Sequence, residues 1–172
     1  NNVGLSQPGG PVDMDEAVWD AQMDVNLKSA FLACKHVIPG MRARRSGAIV
    51  NVSSVHGLRA SAFKSAYVAA KHGLEGLSKA VALEGAPHGV TSNCVNPSYV
   101  RTPLVDKQIK DQAATHGIPE EQVVEKIMLT ESAIKRLVEP EEVGELIAFL
   151  AGPSAGMVTG SSYAMDGGWM AS

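Results

Sequence analysis

Tyr67 and Lys71 lie four residues apart in Ser65-Ala66-Tyr67-Val68-Ala69-Ala70-Lys71-His72-Gly73, with Ser54 thirteen residues before the tyrosine. On a helix, a spacing of four puts two side chains on one face, displaced by about 6 Å along the axis. A phenol and an ammonium would then be neighbours. A free tyrosine has a pKa of about 10, and a nearby positive charge favours its phenolate. Lowering that value by roughly three units takes about 4 kcal/mol of preferential phenolate stabilisation, more than one exposed pair provides. A bound cationic cofactor would add to it. Such a constellation can do redox chemistry. By spacing alone, a surface helical pair is the competing reading.

The elements around these residues follow from pattern. Ser54 comes just after Ala48-Ile49-Val50-Asn51-Val52, and the continuous strand over 48–53 reads as buried on both faces, as in a parallel sheet. A helix is expected over about 63–85, with the stripe Ala70, Leu74, Leu77 and Val81, and with Gly73 and Gly76 permitting close approach of another element. The stripe fits internal packing and a helix-to-helix subunit contact equally well. Upstream, Asp13 with Glu16 resembles a capping arrangement, so a helix should start near residue 14, bend near Asn26 and end at Pro39-Gly40. Residues 89–96 read as a strand stopping at Pro97, and 98–137 as a lid of short helices. Glu139-Pro140-Glu141-Glu142 opens a helix that Gly152-Pro153 closes, and 161–166 forms a last short strand. Strands alternating with helices predict one domain over 1–172: an α/β, doubly wound, Rossmann-like parallel sheet with right-handed crossovers. Ligands bind such sheets at the carboxyl ends of strands, where Ser54 stands.

Composition narrows the function. The chain has 172 residues, 45% hydrophobic and 19% charged, with a formal charge of -3. Its largest basic cluster, Arg42-Ala43-Arg44-Arg45, is too short for a nucleic-acid surface and suits a helix C-terminus. No apolar stretch approaches the ~18 residues that span a bilayer. A soluble, cytoplasmic protein with no membrane or nucleic-acid partner is expected. Cys34 and Cys94 lack metal-ligand spacing, so they read as buried free thiols, and no metal site is expected.

Through Asn1-Asn2-Val3-Gly4, Asn26, Ser54, Tyr67 to Lys71, and Asn96-Pro97 to Thr102-Pro103, the whole chain resembles the short-chain dehydrogenase/reductase family. Ser54-Val55-His56-Gly57, Lys64 to Gly73, Thr102-Pro103-Leu104-Val105 and Met165-Asp166-Gly167-Gly168-Trp169 resemble the branch that acts on D-3-hydroxybutyrate. The resemblance implies Tyr67 as acid/base, Lys71 lowering its pKa and holding the nicotinamide ribose, Ser54 orienting the substrate oxygen, and Asn26 anchoring a water that relays protons. It implies NAD, with NADP open, held by Asn2, Gly4, Tyr67, Lys71, Pro97, Val100 and Thr102. It also implies a small hydroxy or oxo acid held by Ser54, His56, Lys64, Tyr67, Gln108 and Trp169, and a homotetramer.

Read as residues, Lys64 fits a solvated lysine as well as a carboxylate ligand, His56 fits a loop cap, and Trp169 fits packing or a subunit contact. Four positions depart from the pattern: Val3 for alanine, Ser98 for glycine, Tyr99 for tryptophan, and Ser6 where a substrate-binding glutamine is usual, with Gln7 adjacent. They bear on the substrate more than on the reaction type. No glycine-rich turn after a strand is present, so the chain is expected to be the C-terminal portion of a longer enzyme. A 3-oxoacyl thioester or other alcohol as substrate, and a non-catalytic remnant, are the alternative readings.

Overall fold

The computed structural model describes residues 1–171; Ser172, the last residue of the expected domain, lies outside them. Asp15 opens the first helix, α1 (Glu16–Met23), by accepting from Ala17 N at 2.8 Å. The helix thus starts two residues later than expected, capped by Asp15 rather than Asp13. One π-helical turn, Asp24–Lys28, follows at the expected bend around Asn26 and leads into α2 (Ser29–Ala43). Pro39-Gly40 does not end this helix. Proline's fixed φ is helical, so Pro39 forfeits one hydrogen bond near the helix end without breaking the chain's course. The basic run does sit at the C-terminus: Arg42 and Arg45 donate to the Glu84 and Pro87 carbonyls, clamping α2 to the end of the next helix.

Three parallel strands form the sheet in the order β1 (Gly47–Val52), β2 (Val90–Pro97), β3 (Ser162–Met165). Asn1 extends it beyond β1, its N-terminal ammonium donating to Val50 O and its carbonyl accepting from Val52 N, both at 2.9 and 2.8 Å respectively. Between β1 and β2 runs α3 (Ser65–Gly85); between β2 and β3 lie α4 (Pro103–His116), α5 (Glu120–Val123) and α6 (Pro140–Ala151). The segment expected as a lid of short helices therefore contains one 14-residue helix, and it has its own core of Ile109, Val123, Leu129 and Leu137.

Ile49 and Val90 pack against Cys34 of α2 and Val81 of α3, whereas Val50 and Val95 pack against Val143 and Leu150 of α6. Alternate strand residues face opposite sides, so the sheet is covered on both faces, as a doubly wound fold requires. This arrangement corrects one expectation. The two crossovers step the same way across the sheet but on opposite faces, so they have opposite hands. The preference for right-handed crossovers belongs to compact βαβ units, and the long 98–139 segment separates β2 from α6.

The stripe on α3 faces inward: Ala70, Leu74 and Val81 are buried, and Leu77 packs with the sheet cluster. It is internal packing. Cys34 and Cys94 are buried free thiols. Among the described residues no helix is long and apolar enough to cross a membrane.

Of the two α3 glycines, Gly73 meets the expectation of close approach, since a Cβ there would come 2.7 Å from Leu27 Cδ2. Gly76 does not: nothing lies within 4 Å of such a Cβ. The fold therefore predicts that Gly76→Ala stabilises the protein by about 0.5–1 kcal/mol, because glycine is a poor helix former at an open site, while Gly73→Ala gives no gain. Chemical denaturation measures both; a loss of stability from Gly76→Ala would show that this helix face is covered.

Candidate active site

The chain leaves β1 fully extended at Ser54, whose Oγ accepts from His56 N at 3.2 Å and caps the short 3-10 turn Val55–Gly57. Asn96, near the end of β2, donates its side-chain amide to the Ser54 carbonyl at 2.9 Å. Tyr67 sits in the first turn of α3, with Lys71 one turn on. The Ser54 hydroxyl and the Tyr67 phenol line the same cavity, near enough for the serine to act on the phenol's ionisation. Lys71 is 3% exposed; its Nζ donates to Val52 O at 2.9 Å and lies 5.6 Å from the Tyr67 ring centroid. Serine and tyrosine thus line one cavity at the carboxyl end of β1, and the lysine is buried beside the tyrosine ring.

Their protonation departs from expectation. Burial pushes the Tyr67 phenol above its ordinary value, and the Ser54 hydroxyl only opposes that shift. The Lys71 ammonium is directed at the Val52 carbonyl and lies over the Tyr67 ring. Burial also lowers Lys71 itself, to about 8, against the opposing fields of Cys94 and Glu75. Desolvation disfavours the charged form of each group.

Ser54, His56, Lys64, Tyr67, Gln108 and Trp169, the six residues expected to hold the substrate, line one cavity of about 210 Å³. Ser6 lines it too, so the position of the usual glutamine is at the cavity; Gln7 instead exchanges backbone hydrogen bonds with the Gln22 side chain. His56 stands at the centre. Nδ1 is 3.3 Å from Ser54 Oγ, Nε2 is 3.0 Å from Ser61 Oγ, and the ring meets those of Tyr67 and Trp169 edge-on at 5.9 and 5.7 Å. Burial, then the charges of Lys64 and His72, lower its pKa to about 4, so it is neutral near pH 7. Lys64 is lowered by burial as well.

Asn26, expected to anchor a water, is 2% exposed on the π-helical turn. Its amide donates to Leu5 O and Gln22 O, and its side-chain oxygen accepts from Leu5 N at 3.1 Å, so the side chain is spent on fixing the loop after Asn1. Of the residues expected around the cofactor, Asn2 and Gly4 lie on that loop, Pro97 ends β2, Val100 bridges to Val138, and Thr102 caps α4 by accepting from Val105 N. None of these five lines the 210 Å³ cavity. They occupy the same carboxyl-end margin of the sheet. Lys71 fits a diol there: an ammonium has three N–H groups, and only the bond to Val52 O occupies one of them.

Comparisons with known proteins establish the family. A family model described as enoyl-(acyl carrier protein) reductase matches residues 1–170. A D-beta-hydroxybutyrate dehydrogenase of Rhizobium meliloti is 49% identical over 171 residues, and one of Cupriavidus necator is 45% identical over the same length; each alignment covers 99% of this chain and 66% of the relative. The crystal structure of an actinorhodin polyketide ketoreductase variant with NADPH superposes with a TM-score of 0.88 at 33% identity, over 98% of this chain and 65% of that one. The chain belongs to the short-chain dehydrogenase/reductase family. It spans just under two thirds of the length of the relatives it matches.

Three polar groups of this short-chain dehydrogenase/reductase site escape a reading by motif. Ser61 holds the far nitrogen of His56, Arg59 donates to Trp169 O at 3.2 Å and lies over its ring, and Glu75 accepts from Asn96 at 2.6 Å. For Glu75 a signal existed, since it follows Lys71 by four on the same helix. A cavity of about 620 Å³ lies at the opposite end of the sheet among Gly47, Ala48, Val90 and Thr91, with Arg44 its one charged lining residue. It is remote from the reactive groups.

Neutral His56 has a consequence for stability. Its folded pKa of about 4 lies below the ordinary 6.5, so as pH falls the unfolded chain takes up the proton first. Its contribution is complete above pH 6.5 and is lost progressively down to about pH 4, by about 3 kcal/mol in all. Denaturation across that window should show a flatter slope for His56→Gln than for the parent. An unchanged slope would show that His56 protonates freely in the folded state.

Proposed function

We propose that the complete protein is an NAD-dependent oxidoreductase interconverting D-3-hydroxybutyrate, or a similarly small 3-hydroxy acid, with its 3-oxo acid. The observation that carries this reading is the convergence of Ser54, Tyr67, His56, Lys64, Gln108 and Trp169 on one 210 Å³ cavity. That volume is below the roughly 300–1,000 Å³ of sites for drug-sized ligands, which suits a short acid. In oxidation, Tyr67 Oη, having first lost its own proton to become phenolate, would accept the substrate hydroxyl proton as the carbon-bound hydride leaves for the nicotinamide, while Ser54 Oγ orients the same oxygen. In reduction, Tyr67 returns the proton. Lys71 holds the ribose hydroxyls and keeps a positive charge beside the phenol. Lys64 offers an ammonium for the acid's carboxylate, and neutral His56 donates or accepts one hydrogen bond without adding charge. When bound, the nicotinamide supplies the hydride acceptor and a further positive charge.

A second reading within the same class rests on an adjoining cavity of about 200 Å³, which shares His56, Lys64, Tyr99 and Trp169 and adds Ile127 and Met128. That space would take the longer acyl chain of a 3-oxoacyl thioester.

An assay of the full-length protein with D-3-hydroxybutyrate and either NAD or NADP, following reduced nicotinamide, separates these readings. Turnover of the free acid is expected, and Tyr67→Phe should lower kcat by about 10²–10⁴-fold, the usual span for an acid/base group. Lys64→Ala should chiefly raise KM for the free acid. Absence of turnover with the acid, alongside good turnover of an acetoacetyl thioester, would replace the first reading by the second.

A further inference from the structure

We propose that Glu75 is a positioning residue for this reaction: its side chain, held beneath the turn that follows β1, fixes Asn96 and through Asn96 the backbone of Ser54. The inference rests on the oxidoreductase reading for its kinetic consequence and on the hydrogen-bond geometry for its structural one.

Glu75 lies on α3 one turn beyond Lys71 and is 4% exposed. Burying a carboxyl group costs several kcal/mol unless strong hydrogen bonds compensate. Here they are present. Oε1 accepts from Asn96 Nδ2 at 2.6 Å, and Oε2 accepts from Ser162 Oγ at 2.6 Å. The same Asn96 amide group donates to Ser54 O at 2.9 Å. One side chain therefore joins α3, β2 and β3 directly under the serine whose hydroxyl meets Tyr67.

The turn itself is shaped around this group. A Cβ on Gly57 would come 2.9 Å from Glu75 Oε1 and 2.6 Å from Ser53 Oγ, so only glycine lets the backbone of the turn close down on the carboxylate. The titratable groups that feel its charge are Lys71 from its own helix and Cys94 from β2. An apolar side chain at position 75 would fill the space without gripping Asn96, leaving the Ser54 carbonyl tied only by a freely rotating amide.

Glu75→Leu, Glu75→Gln and Asn96→Ala in the full-length protein test this. Glu75→Leu should lower kcat by about 10–100-fold, as expected for a small misplacement of a reactive group, with substrate KM changed less than about 3-fold. Glu75→Gln keeps an oxygen for Asn96 and should stay within about 3-fold of the parent. Adding Asn96→Ala to Glu75→Leu should cost little more, because both cut one link. A parent-like kcat for Glu75→Leu, equal losses from Leu and Gln, or additive losses in the double variant would overturn the proposal. Should Glu75→Leu not fold, Asn96→Ala carries the same kinetic expectation.

Crystal structures of the parent and Glu75→Leu decide the matter even if the protein turns over no alcohol at all, an outcome that removes the functional reading alone. The variant should show the Asn96 bond to Ser54 O broken and Ser54 Oγ displaced from Tyr67; an unmoved Ser54 refutes the role.

Discussion

The 2.9 Å hydrogen bond from the buried Lys71 ammonium to the Val52 carbonyl is the constraint on which the site depends. Val52 is the last residue of β1, and Ser54 follows two residues later. Anchoring Lys71 there fixes the rotation of α3 against the strand end, and Tyr67, one turn earlier on the same helix face, is carried to the Ser54 hydroxyl. The cost is visible in both ionisable groups. Burial lowers Lys71 to about 8 and raises Tyr67. Both therefore resist their charged states.

The rest of the fold maintains that geometry. The α3 stripe and α2 cover one face of the sheet, α6 covers the other, and the strand ends they leave open carry the reactive groups. Polar side chains then set local detail: Asn26 fixes the loop after Asn1, and the Glu75, Asn96 and Ser162 cluster fixes the turn after β1. The helices between 103 and 128 have a separate core, which lets Gln108 of α4 and Ile127 roof the cavities without depending on the sheet's packing.

Much of this was legible in the sequence. The unbroken apolar run before Ser54 and the stripe through Leu74 and Val81 are periodic signals, and the sheet and α3 follow them closely. The capping residues at 139–142 placed α6 correctly, with a capping box observed. What misled were signals whose meaning depends on tertiary context. Pro39 sits where a helix near its end can spare one donor. Gly76 faces open space, not a neighbour. Crossover hand was obscured by the long insertion before α6. The sign of the Tyr67 shift was least legible of all: spacing reveals that an ammonium is near a phenol, but only the packed structure reveals that burial raises the phenol above its ordinary value. Glu75 carried an i,i+4 signal beside Lys71, yet its partners on β2 and β3 are distant in sequence.

The central proposal is that Tyr67, a phenol whose burial raises its pKa, would serve as a base once a cationic nicotinamide stood beside it together with Lys71. NMR titration of the full-length protein carrying ring-labelled tyrosine, with Tyr67→Phe to assign the signal, measures this directly. The Tyr67 pKa should lie above the ordinary value of about 10 in the cofactor-free protein and fall when oxidised NAD is added. A pKa already below 10 without cofactor, or one that NAD leaves unchanged, would contradict the account.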